Sequence, residues 1–316
     1  MAQDYKQYQT DVTADIAGVI AKHECQPILF IGSGFSARYA SAPNWEALLR
    51  ELASACPLID RDVAYYRQSG MSLPQVGTEY AKAYKEWAWG KGRKQFPEHY
   101  FDAQYPSDVF LKYAVSLRLS ALGPSKKGSY GSPELDAEIE ALKQINPHAI
   151  ITTNYDELLA PMFSDYERVI GQQVIRQSYL SIGEIFKIHG CVSDPLSLTL
   201  TAEDYQKFET DKKYLSAKLL TYFVEHPLLF VGYSASDENI RAILEEIDHM
   251  LPEQADVIPN IYILEWDNTI NAESNPPREK LIAVSGGRSI RLKSIVASSY
   301  EWVFKAFCSD KPLEKI

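Results

Sequence analysis

Polar side chains that could do chemistry follow two apolar runs of the chain. Residues 150–156 read Ile-Ile-Thr-Thr-Asn-Tyr-Asp, so Thr153, Asn154 and Asp156 come directly after the first run. His189 ends the second run, Phe-Lys-Ile, and a glycine follows it. Because the carboxyl ends of parallel strands meet at one edge of a sheet, where open α/β sheets bind ligands, we expect these side chains to share a crevice.

Each of these residues also has a purely structural interpretation. A lone histidine is more often structural than catalytic, and Asn154 or Asp156 could simply cap a helix predicted over residues 157–163. For Asp156, a role in the crevice and a role as helix cap are equally favoured. The convergence of several polar strand ends favours catalytic work for His189, whose imidazole titrates near neutral pH. The other five histidines lack such neighbours.

A small-residue turn follows another apolar run, Ile28–Ile31. Gly32, Ser33, Gly34, Phe35 and Ser36 with the next alanine fit the spacing G-x-G-x-x-A, in which small residues let the backbone approach a pyrophosphate. A tight turn without a ligand would have the same residues. The acidic residue expected about twenty positions later is Glu51, but it falls in a helical pattern, so an ordinary dehydrogenase is disfavoured.

A fourth segment repeats the arrangement of a strand that opens into polar residues. The run Leu228–Val231 leads into Gly232, Tyr233 and Ser234, and Asp237 follows. Ser234 could hydrogen-bond a ribose or a phosphate. Asp237 could equally be the N-cap of a helix over residues 238–250.

The elements that position these residues alternate between strand and helix. Short apolar runs predict strands over residues 28–31, 148–153, 185–188, 228–231, 261–264 and 289–292. Helical spacing predicts helices over residues 3–22, 78–89, 107–119, 214–225 and 238–250, with Asn44 as the N-cap of a further helix. The pattern predicts an α/β fold, a doubly wound Rossmann-like parallel sheet over 1–56 and 148–316 with a helical insertion at 57–147.

Composition excludes several classes of function. The net charge of −10 and a pI near 5.2 argue against direct nucleic-acid binding, which needs clustered Lys and Arg. The apolar runs are too short to span a bilayer and the first residues resemble no secretion signal, so we expect a cytoplasmic protein without membrane contact. The four cysteines form no Cys-x-x-Cys pair, which predicts no zinc site. Four aromatic residues of the insertion, Tyr80, Tyr84, Trp87 and Trp89, suggest apolar surface for a homo-oligomer.

Taken in order, the four segments resemble those of the sirtuin (silent information regulator) superfamily, and in particular its bacterial NADase branch from anti-phage defence systems. The resemblance covers about residues 27–50 and 150–244. It implies that Asn154 and His189 are catalytic and that Asp156 lies on the ribose side of NAD⁺. It further implies that Gly32–Ser36 form the nucleotide loop and that Gly232 and Ser234 hold the adenosine half.

The departures from the family pattern concern substrate choice. Sirtuin deacylases carry a zinc ribbon of paired Cys-x-x-Cys motifs, which this chain lacks, and Ser41-Ala42-Pro43 stands where the family has Phe-Arg. The resemblance therefore implies an NAD⁺ glycohydrolase that releases nicotinamide and ADP-ribose, with NAD⁺ as substrate and no metal. The alternatives are an NAD-dependent protein-lysine deacylase and a non-catalytic NAD or ADP-ribose sensor.

An NADase would harm its own cell unless it were gated. The resemblance implies an NAD-depleting effector of antiviral defence that is controlled by self-assembly or by a phage-sensing partner such as a HerA-type ATPase.

Overall fold

A central sheet of eight strands organises the fold. The computed structural model describes residues 4–123, 129–171, 183–211, 213–233, 244–245, 257–283 and 289–308. In chain order the strands are β1 (Ile28–Ile31), β2 (Ala149–Thr152), β3 (Glu167–Ile170), β4 (Glu184–Lys187), β5 (Leu228–Val231), β6 (Ile258–Trp266), β7 (Glu279–Ala283) and β8 (Ser289–Ala297). Their order across the sheet is β3-β4-β2-β1-β5-β6-β8-β7.

The sheet is parallel except at one edge. β1 lies in the middle, with Ile28 opposite Ala149 of β2 on one side and opposite Leu228 of β5 on the other. All four residues of β1 are fully buried, as a strand covered on both faces requires. Only the β7–β8 pair is antiparallel among the described strands. The predicted α/β class and mainly parallel sheet are confirmed.

Ten α-helices lie within the described ranges. They are α1 (Tyr5–His23), α2 (Ser33–Ala40), α3 (Trp45–Ala55), α4 (Val63–Gln68), α5 (Leu73–Trp89), α6 (Val109–Leu119), α7 (Pro133–Gln144), α8 (Ala202–Asp211), α9 (Lys213–Glu225) and α10 (Glu301–Ala306). Asn44 caps α3 as predicted, since its Oδ1 accepts from the Ala47 N–H at 2.8 Å. Ser72 forms a capping box with Gln75 at the start of α5.

Three apolar clusters fill the molecule. One sheet face packs against α1, α2, α7 and α10, and the opposite face packs against α9. The third cluster lies between α3, α4, α5 and α6 and takes in Leu198 and Leu200 from the segment before α8. This helical layer therefore reaches the sheet at the carboxyl ends of its strands.

The proposed division at residues 57 and 147 stays a prediction. The described residues between β1 and β2 form helices and turns and no strand. α7, however, packs on the sheet through Ile139 and Leu142, and α3 packs within the helical layer through Leu48. Contacts thus cross the proposed boundaries at both ends.

Several detailed predictions were wrong. The helix expected over residues 157–163 is a series of turns, because Pro161 has no N–H to donate and the bonds run from Ala160 to Glu157 and from Met162 to Leu159. The apolar spacing within residues 107–119 also predicts Leu117 on the buried face of α6, but its side chain is 64% exposed. Turn-forming residues also predict a loop over 123–133. Residues 124–128 of that loop, and most of the helix predicted over 238–250, lie outside the described residues.

The aromatic residues proposed as interface are mainly core. Tyr80, Tyr84 and Trp87 are buried in the helical layer, and only Trp89 is exposed, at 54%. Trp89 packs edge-on against Phe101 and lies under the Arg93 guanidinium. These residues therefore stabilise the layer rather than provide a broad apolar surface. Within the described ranges, no helix has the length and apolar character needed to cross a membrane.

Candidate functional site

A cavity of about 840 Å³ lies at the carboxyl ends of β1, β2, β4 and β5. This is in the size range of small-molecule and cofactor sites, about 300–1,000 Å³. The sheet contributes the residues that follow its strand ends, which include Ser33, Ser36, Thr153, Asn154, Asp156, His189, Gly232 and Tyr233. The helical layer and α8 supply the opposite wall.

Asn154 is held at the centre of this edge by its side chain and its backbone. Its Nδ2 donates to the Gly32 carbonyl and to Ser36 Oγ, both at 2.9 Å. Its backbone N–H donates to Thr152 Oγ1 at 3.0 Å, and Thr152 in turn donates to the Ile31 carbonyl at 2.8 Å. These bonds join the ends of β1 and β2, so Asn154 is fixed although it follows the strand.

Asp156 is a buried carboxylate whose two oxygens both accept hydrogen bonds. Ser36 Oγ donates to Oδ2 at 2.7 Å, and the Leu158 N–H donates to Oδ1 at 3.0 Å. The second bond closes a turn rather than capping a helix. Asp156 therefore lines the cavity as an acceptor that is tied to α2 through Ser36.

The segment that carries His189 holds the carbonyl groups of the Asn154 segment. The buried Lys187 Nζ donates to the Asn154 carbonyl at 3.0 Å and also to the Asp156 carbonyl. The Val192 N–H donates to the Tyr155 carbonyl at 2.9 Å. Burial lowers the pKa of the Lys187 ammonium below its ordinary value, although nearby Cys191 and Asp156 oppose that shift.

His189 is buried beneath the cavity and enclosed by aromatic rings. It is 3% exposed, and its ring lies edge-on to Tyr205 at 5.6 Å and to Phe208 at 5.2 Å between centroids. Gly190 follows with φ +94°, and a Cβ there would meet the Ser197 carbonyl at 2.2 Å. Glycine is therefore required for the chain to turn directly after His189.

The two glycine-containing turns pack directly against one another. The Gly34 N–H donates to the Gly232 carbonyl at 2.8 Å. Gly232 has φ +64°, and a Cβ on it would lie 2.1 Å from the Phe35 nitrogen. The helix α2 begins at Ser33, whose exposed side chain lines the cavity at the positive end of the helix.

Sequence reasoning missed the opposite wall. Trp45, the first residue of α3, stacks on Tyr205 of α8 with ring centroids 5.6 Å apart, and both line the cavity. Arg67 of α4 is exposed at the same wall, with Nη1 donating to the Met71 carbonyl at 2.7 Å. No sequence pattern marks these residues as part of a site, because helices distant along the chain bring them to the sheet edge.

The predicted site residues are not all in the same position relative to the cavity. Ser33, Ser36, Thr153, Asn154, Asp156, His189, Gly232 and Tyr233 line it. Gly32 and Gly34 are in the packed turns and not in this lining, and the Phe35 ring is buried against Tyr39. Ser234 and Asp237 lie outside the described residues.

Among the residues that the structure describes, no group of three or more His, Cys, Asp or Glu side chains is arranged so that it could hold a metal ion.

Comparisons with known proteins support the resemblance found in the sequence. Residues 148–285 match the family model described as SIR2-like domain. The matched range contains the strands that carry Asn154, His189 and Gly232, and it leaves out β1 and the turn at Gly32.

Three curated relatives have low identity to this chain. The "NAD(+) hydrolase ThsA" of Enterococcus faecium is 29% identical over 32% of this chain and 23% of its own length. The protein of the same name from Bacillus cereus (strain MSX-D12) is 25% identical over 36% of this chain and 25% of its own length. "Defense-associated sirtuin 2" of Bacillus subtilis is 27% identical over 54% of this chain and 18% of its own length. The chain thus spans a quarter or less of each of these relatives.

Proposed function

From the premise that residues 148–285 carry a SIR2-like domain, we propose that this protein is an NAD⁺ glycohydrolase. It cleaves the bond between nicotinamide and ribose with water, giving ADP-ribose, nicotinamide and a proton. The observation that carries the proposal is the convergence of Asn154, Asp156 and His189 on one cavity at the carboxyl edge of the sheet. The names of two relatives, which are NAD(+) hydrolases, support the substrate.

The proposed chemistry needs few protein groups. The nicotinamide of NAD⁺ is cationic, so the electron pair of the breaking C1′–N bond neutralises the leaving group and no general acid is required. Water adds to the oxocarbenium-like C1′ from the other side. Asn154 positions that water or a ribose hydroxyl, and His189 accepts the proton that the water loses.

The remaining parts of the cavity suit the rest of the dinucleotide. The positive end of α2 at Ser33 favours the pyrophosphate, and the exposed guanidinium of Arg67 provides a permanent positive charge on the facing wall. The Trp45–Tyr205 stack offers an aromatic surface to a ring of the substrate. We propose that Asp156 accepts from a ribose hydroxyl on the cavity side.

We further propose that the activity serves antiviral defence and is gated. The support for a defence role is the name of the Bacillus subtilis relative. Gating by self-assembly or by a phage-sensing partner, such as a HerA-type ATPase, belongs to this proposal. Light scattering during the reaction tests self-assembly, because a fully active monomer would contradict it.

One experiment separates this function from its alternatives. Purified protein is incubated with NAD⁺, with and without an acetylated peptide, and the products are resolved by chromatography. Nicotinamide and ADP-ribose without peptide indicate hydrolysis, and peptide-dependent acetyl-ADP-ribose indicates a deacylase. Tight NAD⁺ binding by calorimetry without any product indicates a sensor and contradicts the proposal. Asn154→Ala serves as the inactive control.

A further inference from the structure

Lys187 is a buried lysine that the proposed chemistry does not use. It is the last residue of β4, two positions before His189, and is 3% exposed. Placing an ammonium group in the protein interior is unfavourable unless hydrogen bonds replace its water. The partners of Lys187 are backbone carbonyls of the segment that carries Asn154.

Three successive carbonyls of that segment accept hydrogen bonds from residues of the segment that carries His189. Lys187 Nζ donates to those of Asn154 and Asp156, and the Val192 N–H donates to that of Tyr155 between them. Residues 153–155 have neither strand nor helix structure, so no regular ladder satisfies these groups. The Lys187 side chain thus supplies two of the three hydrogen bonds that these carbonyls accept.

The backbone and the amino group of Lys187 contact different parts of the fold. Its backbone belongs to β4, where it lies opposite Thr152 of β2 in the parallel pair. Its ammonium group reaches past the end of β2 to the carbonyls beyond it. A rigid strand therefore holds both His189, through two peptide units, and Asn154, through the ammonium group.

We infer that Lys187 is a positioning residue that sets Asn154 and Asp156 relative to His189. This inference rests on the proposed function. Lys187 touches neither the substrate nor the reacting atoms and is not part of the cavity lining. It acts by holding the backbone from which the Asn154 side chain projects, and displacements of about 1 Å at such groups can cost about 100-fold in rate.

The test replaces Lys187 by methionine, which has similar length and no N–H donors. We expect Lys187→Met to fold and to keep KM within about threefold of wild type, while kcat falls about 10- to 100-fold. The matched control is Lys293→Met on β8, which loses the ion pair to Asp15 far from the cavity. The control should lose stability and keep both kinetic constants.

Hydrogen exchange gives a readout that does not depend on turnover. In Lys187→Met the peptide covering residues 152–158 should exchange about tenfold faster, while peptides of β1 and β5 keep their wild-type rates. If wild type does not cleave NAD⁺, the proposed function fails and the exchange result alone decides the role of Lys187. If wild type is active and a folded Lys187→Met keeps wild-type kcat, the inference fails and the function stands.

A second variant covers the case in which Lys187→Met does not fold. Lys187→Gln keeps two N–H donors but is one bond shorter, so it can reach fewer carbonyls at once. We expect it to fold with an intermediate kcat and nearly unchanged KM. Unfolding of both variants would mean that Lys187 serves the fold as a whole, which would overturn a specific positioning role.

Discussion

Asn154 and Ser36 share a hydrogen bond whose direction is fixed by the groups around it. The Ser36 hydroxyl donates its one hydrogen to Asp156 Oδ2, so Oγ accepts from Asn154 Nδ2. The other Nδ2 hydrogen goes to the Gly32 carbonyl, which can only accept. The side-chain atom of Asn154 left for a ligand is therefore Oδ1, an acceptor. Such an atom can bind a ribose hydroxyl or one hydrogen of the attacking water.

Asn154→Ala should reduce NAD⁺ cleavage by at least about 100-fold without unfolding the protein, because it removes the group that positions water or ribose. Loss of its buried hydrogen bonds should cost about 1–3 kcal/mol of stability. Nicotinamide release and urea unfolding measure the two effects. The matched control is Asn260→Ala, since Asn260 is also buried and donates to two carbonyls, those of Phe223 and His226. Wild-type turnover in a folded Asn154→Ala protein would remove Asn154 from the mechanism.

The two serines of α2 should have separate kinetic effects. Ser36→Ala removes the hydroxyl that hydrogen-bonds both Asn154 Nδ2 and Asp156 Oδ2, so these two side chains are held less firmly. We therefore expect kcat to fall about tenfold with little change in KM. Ser33→Ala removes an exposed hydroxyl at the start of the helix, so we expect KM to rise and kcat to stay constant. Steady-state kinetics on both variants tests the contrast. Equal changes in KM would show that Ser36 contacts the substrate instead.

His189 should make the rate of NAD⁺ cleavage depend on pH. The neutral imidazole accepts the proton, so the rate should fall as pH is lowered while NAD⁺ binding is largely kept. His189→Ala should remove most of the rate together with this acid limb. His148→Ala and His226→Ala, which change residues outside the cavity lining, should keep both at pH values where they are folded. An unchanged acid limb in His189→Ala would leave His189 a structural role only.

A second acid effect should appear in stability, at the opposite end of the sheet. The rings of His148 and His226 lie 4.5 Å apart between centroids. Burial, and then His226, lowers the pKa of His148 to about 4, and burial also lowers the pKa of His226. Since the unfolded chain binds protons more readily, stability should be constant above about pH 6.5 and fall as pH drops from there toward 4.

The size of this loss for His148, after allowance for its partial exposure, should be no more than about 2 kcal/mol. Urea unfolding at a series of pH values measures it, and His148→Phe should flatten the curve. His99→Gln, at an exposed histidine, is the control and should leave the curve unchanged. A steeper acid loss in His148→Phe than in wild type would contradict the sign of the effect.

Metal removal should leave activity intact. The proposed steps use only Asn154, His189 and water, and the sequence has no paired-cysteine motif. We expect wild-type rates after dialysis against EDTA and less than one zinc per chain by elemental analysis. One tightly bound zinc per chain, with activity lost on its removal, would show that a metal site had been overlooked.

The central strands of the sheet could be predicted from the sequence, because a strand that is buried on both faces is a continuous run of apolar residues. Leu228–Val231 is apolar at every position, and β5 has those bounds. β3 and β7 were missed, since they lie at the two edges and alternate exposed charges with few buried residues. The segment after Asp156 has helix-like apolar spacing, yet Pro161 prevents a regular helix there.

The sheet side of the candidate site was predictable for a related reason. Strand ends at one edge must be neighbours, so Asn154 and His189 could be brought together from sequence order alone. The ammonium contact of Lys187 and the Trp45–Tyr205 stack depend on tertiary packing between distant segments. The periodicity of apolar residues, which predicts single helices and strands, does not show which residues of distant segments contact each other.

Because Gly34 packs on Gly232, the floor of the cavity tolerates fewer amino-acid substitutions than its helical wall. At this floor two main chains touch, and a Cβ on Gly232 or on Gly32 would overlap backbone atoms within 2.1 and 2.5 Å respectively. No side chain can be introduced there to adjust the fit of a ligand. The helical wall that carries Trp45, Arg67 and Tyr205 is built from side chains instead, so randomised libraries that aim at a different nucleotide should be built there.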